Sequence, residues 1–67
     1  MNKEKIIYYE HETGKGIWII LGGWDFEGWE IISVRANRPT IKTVQRISKG
    51  RGIQYDYIDV EQHVVKE

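Results

Sequence analysis

The chain has 67 residues, with ten basic and ten acidic side chains, a formal net charge of zero and no cysteine. This length is enough for one small domain, residues 1–67, and excludes large architectures such as a dinucleotide-binding fold. The lack of cysteine excludes disulfides, thiolate metal sites and cysteine nucleophiles. A domain of this size buries only about 60% of its unfolded surface, so association between copies is one way to enlarge the buried area.

The N-terminal segment lacks the long apolar core of a signal peptide. The longest strictly apolar run, residues 17–21, has five residues. A helix needs about 20 apolar residues to span a bilayer. We therefore expect a soluble cytoplasmic protein with no membrane partner.

The apolar residues are mainly β-branched. Eleven Ile and five Val contrast with one Leu, one Ala and one Met. Stiff β-branched side chains fit a pleated sheet and lose rotamer freedom in a helix. The composition therefore predicts a protein built mainly from strands.

Four segments read as clear strands, in chain order residues 5–12, 17–21, 29–35 and 53–60. The turn at 13–16 contains two glycines, which supply positive φ at little cost. Gly22 and Gly23 are expected to end the second strand. Residues 61–67 read as a polar tail or a frayed helical turn.

Residues 40–48 carry two conflicting signals. Ile41, Val44 and Ile47 are three apart, which is a helical spacing, with Thr40 as a possible N-cap and Gly50 as a possible C-cap. However, five of the nine residues are β-branched, which favours a strand. We interpret the segment as a fifth strand, and a helix at about 40–49 is the alternative.

Five short strands joined by glycine-rich turns predict an all-β fold, either a small five-stranded barrel or a strongly bent antiparallel meander. Closure into a barrel would also remove the exposed edges of an Ile-rich sheet. With a helix at about 40–49 the fold class would instead be α+β.

Basic residues concentrate in the middle of the chain. Residues 31–55 contain no acidic side chain and six basic ones, giving +6, whereas residues 1–30 and 56–67 each sum to −3. Such asymmetry indicates an anionic partner, of which nucleic acid is the commonest. The alternative is a solvated face that balances the acidic ends of the protein itself. The candidate nucleic-acid-binding residues are Arg35, Arg38, Lys42, Arg46, Lys49 and Arg51.

A second candidate surface is the aromatic loop at residues 24–29. Trp24, Phe26 and Trp29 alternate with acidic residues that would repel a phosphate chain. The loop therefore suits a protein partner or a cationic ligand, because aromatic residues dominate interface hot spots. The alternative is that one or two of these aromatics fill a barrel end.

Residues 43–50, with the sequence TVQRISKG, resemble the recognition helix of repressors of the lactose-repressor type, which read the major groove. The resemblance covers eight of the 67 residues and implies DNA binding through this segment. In that family a first helix with a small residue at the bend precedes the recognition helix. Here residues 29–37 are β-branched and contain arginine instead.

Residues suited to catalysis or metal binding are few. His11 and His63 lie 52 residues apart, and no pair of potential ligands has a spacing diagnostic of zinc. Ser33 and Ser48 lack the context of an activated nucleophile. The sequence therefore predicts no enzyme, no cofactor and no metal.

The leading interpretation is a small nucleic-acid-binding regulatory or accessory protein that uses the basic segment 35–51. The alternative is a protein-interaction module, or an inhibitor of the phage or mobile-element type, that acts through the aromatic loop 24–29. Because basic and acidic segments can attract one another between copies, a homo-oligomer is also expected to be possible.

Overall fold

A computed structural model describes residues 5–12 and 14–64. It contains the strands and helix β1 (Lys5–Tyr9), β2 (Ile17–Trp24), β3 (Gly28–Arg35), α1 (Ile41–Gly50) and β4 (Tyr57–His63). The four strands form one sheet in the order β1-β4-β2-β3. Within the described residues, no helix is long and apolar enough to span a bilayer.

The sheet is mixed and open, so the predicted barrel or antiparallel meander is wrong, while the prediction of a mainly β fold is confirmed. Strand β2 pairs antiparallel with both β3 and β4, and β1 pairs parallel with β4. Strands β3 and β4 therefore run in the same direction on either side of β2. Two consecutive strands that run in the same direction need a long crossover connection, and the connection from β3 to β4 contains α1.

The strand interpretation of residues 40–48 is also wrong, because this segment forms α1. The Thr40 side chain caps the helix by accepting a hydrogen bond from the Thr43 backbone N–H at 3.2 Å. Val44 and Ser48 are fully buried. Each β-branched residue lowers the stability of a helix by less than about 1 kcal/mol. Burial of one side of the helix against the sheet outweighs this loss.

The hydrophobic core lies between α1 and one face of the sheet. Strands β2 and β4 each contribute alternate side chains to it, as a half-covered sheet requires. Five further residues, Ile6, Tyr8, Trp24, Ile32 and Ile47, pack against its margin. The buried core residues are Trp18, Ile20, Val44, Tyr55, Ile58 and Val60.

Several strand boundaries differ from those predicted. Strand β1 ends at Tyr9 instead of residue 12, β3 begins at Gly28 instead of residue 29, and β4 continues to His63, so the predicted polar tail is wrong for residues 61–63. Strand β2 continues through Gly22 and Gly23 to Trp24, and β4 begins at Tyr57 instead of residue 53. The loop before β4 brings the Tyr55 ring onto Gly22. Glycine here permits close packing of an aromatic ring and does not end the strand.

Candidate functional surfaces

The face of the sheet opposite α1 is called the open face here. Because the side chains of paired residues project to the same side, the register aligns Ile7, Asp59, Leu21 and Ile31 in one row across the four strands. No described element covers this row. The open face comprises Lys5, Ile7, Tyr9, Ile17, Ile19, Leu21, Trp29, Ile31, Val34, Tyr57, Asp59, Glu61 and His63.

The β2–β3 half of the open face is apolar. On β3, Trp29 is 50% exposed, Ile31 59% and Val34 57%. On β2, Ile19 and Leu21 pair with Val34 and Ile31 and are half-buried. A contiguous group of large exposed apolar side chains is unusual on a soluble domain and indicates a binding surface.

The β4 strand adds acidic side chains to the same face. Asp59 is half-buried between Ile7 and Leu21, and no described residue donates a hydrogen bond to its carboxylate. Loss of hydration, with a smaller contribution from Glu61, raises the pKa of Asp59. The Glu61 carboxylate lies 3.1 Å from Nε2 of His63. The centre of the open face therefore carries a carboxylate that lacks a counter-ion among the described residues.

An open depression of about 610 Å³ lies over the β1–β4 pair, beside the apolar half. It brings together His11 and His63, which are 52 residues apart in sequence. Gln62 accepts a hydrogen bond from the His11 backbone N–H at 2.8 Å. Within the described residues no group of three His, Asp or Glu side chains is arranged to hold a metal ion. The lining residues are Tyr9, Glu10, His11, Asp59, Glu61, Gln62 and His63.

The three predicted aromatic site residues occupy different environments. The Trp24 ring is half-buried 5.0 Å from that of Tyr55, and its Nε1 donates a hydrogen bond to the Gln54 carbonyl at 2.8 Å. Phe26 is 99% exposed in the β2–β3 turn. Trp29 lies on the open face, where its ring occupies the space beside Gly23. The aromatic segment is therefore divided among the core margin, the turn and the open face.

Three of the six predicted basic residues form one stripe on α1. Lys42, Arg46 and Lys49 follow the i, i+4, i+7 spacing that places side chains on one side of a helix. All three are exposed and lie opposite the buried Val44. None of them forms an ion pair with a described residue. We call Lys42, Arg46 and Lys49 the basic stripe.

The other predicted basic residues are arranged differently. Nε of Arg38 lies 2.6 Å from Oε1 of Glu10, and its guanidinium carbon lies 4.5 Å from the centre of the Tyr8 ring. Arg38 thus joins the loop before α1 to the end of β1. Arg35 is exposed at the end of β3.

Arg51 belongs to a polar cluster at the core margin. Its Nε donates a hydrogen bond to the Tyr55 hydroxyl at 3.0 Å, and its Nη2 lies 3.8 Å from Oε2 of Glu30. The Tyr55 hydroxyl in turn donates to Glu30. Because Arg38 and Arg51 already have carboxylate partners, the basic stripe supplies three of the four predicted basic residues that have no ion-pair partner among the described residues.

The exposed aromatic residues of the strands, Tyr9 and Trp29, lie on the face of the sheet opposite the basic stripe. Proteins that bind single-stranded nucleic acid combine stacking aromatics with cations along one groove. On the open face, Trp29 and Tyr57 are instead accompanied by Asp59 and Glu61. The open face therefore does not combine the two features that single-strand binding needs.

Several open-face residues were missed by reasoning from the sequence. The strictly apolar run at 17–21 puts apolar side chains on both faces of a strand, and this is the signal that the sequence offers for Ile19 and Leu21. Asp59 and Glu61 alternate with Ile58, Val60 and Gln62 along β4, but alternation alone does not reveal which face is covered.

Comparison of the chain with protein-family models, curated proteins and solved structures found no match. Function is therefore inferred from the open face and the basic stripe.

Proposed function

We propose that this chain is a protein-interaction module whose binding surface is the open face. The observation that carries the proposal is the exposure of Trp29, Ile31 and Val34 on one strand, next to the apolar side chains of β2. Removing apolar surface from water contributes about 25 cal/mol per Å². A partner that covers these side chains would therefore gain a favourable binding term without any change in the sheet.

Trp29 is the expected anchor residue of this surface. Its ring occupies the space that a side chain at Gly23 would fill, and the centres of the Trp29 and Tyr57 rings are 6.1 Å apart. These contacts restrict its orientation before a partner binds. A large aromatic side chain held in place in this way loses little entropy on binding and is typical of interface hot spots.

The experiment that tests the proposal is selection of binding peptides from a displayed random library against the immobilised chain. Selected peptides are then titrated against the wild type and against the double variant Ile31→Glu/Val34→Glu. Both positions are more than half exposed, so the variant is expected to fold. We expect the variant to lose at least about tenfold in affinity, because two carboxylates would have to be desolvated.

The matched control is Lys42→Gln/Arg46→Gln, which lowers the net charge by the same amount but lies across the sheet on α1. Peptides that bind the open face should retain their affinity for this control. Selected peptides that bind the open-face variant as tightly as the wild type would overturn the proposal. Failure of the selection to yield any binder would also count against it.

The basic stripe supports a second candidate function, binding of nucleic acid through the outer side of α1. Lys42, Arg46 and Lys49 lack carboxylate partners among the described residues and point away from the core. Three cations on one helix are able to contact neighbouring phosphates. The exposed polar side of this helix also includes Gln45, a residue type that forms paired hydrogen bonds with adenine.

This second function is tested by the anisotropy of labelled single-stranded and duplex oligonucleotides at about 50 and 200 mM salt. Changing Lys42, Arg46 and Lys49 together to Gln should abolish binding, and in the single variants each lost phosphate contact should flatten the slope of log affinity against log salt by about 0.7 to 0.9. Arg38→Gln serves as the control, because that side chain is engaged by Glu10. Absence of binding by the wild type at the lower salt would exclude this function.

A further inference from the structure

We infer that the partner recognised by the open face is a basic amphipathic helix, with its apolar side on the β2–β3 half and its Lys or Arg side chains on Asp59 and Glu61. This inference rests on the proposed function and deepens it. It assigns a binding role to two acidic residues on β4 and specifies the chemistry of the partner.

The arrangement of charge on the open face supports a basic partner. Asp59 is flanked by Ile7 and Leu21, so its carboxylate has lost part of its hydration without gaining a donor from the described residues. Glu61 follows on the same side of β4, and Lys5 lies at the opposite end of the β1–β4 pair. A cation of the partner would compensate Asp59 and turn an unfavourable group into a favourable one.

The shape of the face supports a helix. Strands of seven or eight residues are about 23 to 27 Å long, at about 3.3 Å per residue. A helix of about 15 to 18 residues has the same length, and its width of about 10 Å covers two to three strands. The depression over β1 and β4 lies beside the apolar half, so a helix along the sheet would meet both. On the other face α1 already packs in this manner through Val44 and Ile47.

A second copy of this chain fits the open face less well. Stacking two open faces about their centre would place Asp59 against apolar side chains or against Asp59 of the other copy, at a cost in desolvation, because Lys5 lies at the edge of the face. The outer side of α1 has the required positive charge, but its exposed residues include only one large apolar side chain, Ile41. Neither arrangement satisfies the apolar and acidic parts of the face together.

The test uses two synthetic 16-residue helical peptides without tryptophan. Both have the same apolar positions, and the flanking positions are Lys in one peptide and Glu in the other. Binding is followed by the intrinsic fluorescence of the three tryptophans, of which Trp29 is half exposed on the open face, with isothermal titration calorimetry as the second readout. We expect the Lys peptide to bind at least about tenfold more tightly than the Glu peptide, as expected for a partly desolvated charge pair.

Two variants identify the residues responsible. Asp59→Asn/Glu61→Gln should weaken binding of the Lys peptide about tenfold and leave the Glu peptide unaffected or slightly improved. Glu27→Gln, which removes a carboxylate from the β2–β3 turn, is the control and should change the affinity of the Lys peptide less than about threefold. Equal loss of binding free energy per carboxylate removed in the two variants would show that only net charge matters and would overturn the inference.

The remaining outcomes separate this inference from the proposed function. If library peptides bind the open face but the Lys peptide does not, the choice of partner is wrong and the proposed function stands. If neither kind of peptide binds, both fail. A dimer in sedimentation that Ile31→Glu dissociates would identify a second copy as the occupant and would also overturn the inference.

Discussion

The ring of Tyr55 lies directly on Gly22. A Cβ built at position 22 would lie 2.4 Å from Cδ1 and Cε1 of the ring, closer than side-chain atoms approach one another. Tyr55 is 2% exposed, and its hydroxyl is held by Glu30 and Arg51. The ring therefore has no room to move away, and the glycine lets the loop before β4 close over the end of the core.

Gly22→Ala should destabilise the fold by about 1 to 3 kcal/mol, because the added methyl group overpacks the core at Tyr55. Urea unfolding followed by circular dichroism measures the effect. Gly50→Ala is the control: a Cβ at that position meets no atom within 4 Å, and alanine favours a helix. Equal stability of Gly22→Ala and the wild type would contradict this packing.

Thr40→Ala should destabilise α1 by about 1 kcal/mol, because it removes the side-chain oxygen that accepts the Thr43 N–H. Thr40→Ser keeps that oxygen and should remain close to the wild type. The urea midpoints of the three proteins provide the comparison. A Thr40→Ser variant as unstable as Thr40→Ala would show that the cap does not contribute.

Alkaline pH should destabilise the protein through its buried tyrosines. Burial is the main cause that raises the pKa of Tyr55, and the hydrogen bond to Glu30 raises it further. Burial also raises the pKa of Tyr8. The unfolded chain therefore loses these protons first, near pH 10, and stability falls as pH rises from there towards the raised folded values. Stability measured in urea between pH 8 and 11 tests this expectation.

Tyr55→Phe should lower stability at pH 8, because the hydrogen bonds of its hydroxyl are lost, but should make the alkaline decline shallower. Tyr9→Phe, the same substitution at a half-exposed position, is the control. A decline in Tyr55→Phe as steep as that of the wild type would assign the alkaline effect to other groups.

Asp59→Asn should stabilise the free protein at pH 7. Burial raises the pKa of Asp59 above its ordinary value, so the ionised form is less favourable in the folded chain than in the unfolded chain. This loss of stability is absent below the pKa that Asp59 has in the unfolded chain. It develops as pH rises from there through the raised pKa of Asp59 in the folded chain. Urea midpoints at about pH 3 and pH 7 should therefore differ between variant and wild type only at the higher pH.

Asp59→Asn is also expected to weaken binding of a basic partner while it stabilises the free protein. Residues that serve binding commonly reduce the stability of the unbound state in this way. Glu27→Gln, at an exposed position in the β2–β3 turn, should change neither property appreciably. Destabilisation of the free protein by Asp59→Asn would contradict the desolvated state of this carboxylate.

The difference between predicted and observed folds comes mainly from residues 40–48. The three-residue spacing of Ile41, Val44 and Ile47 pointed to a helix, and the β-branched content pointed to a strand. These local preferences are each below about 1 kcal/mol per residue and nearly balance. The connection from β3 to a parallel β4 decides between them, because a crossover helix buries Val44 and Ser48 on the sheet.

The sequence by itself determined the predominance of strands and the excess of positive charge between residues 31 and 55. Both are set by residue types and their order along the chain. Only the tertiary structure decided that Arg38 and Arg51 have carboxylate partners, whereas no described carboxylate pairs with Lys42, Arg46 or Lys49. It also decided that Asp59 lies on the same face of the sheet as Ile31, among apolar side chains. Pairing between distant strands selects which alternate side chains are covered by α1, and a strand's own pattern does not contain that information.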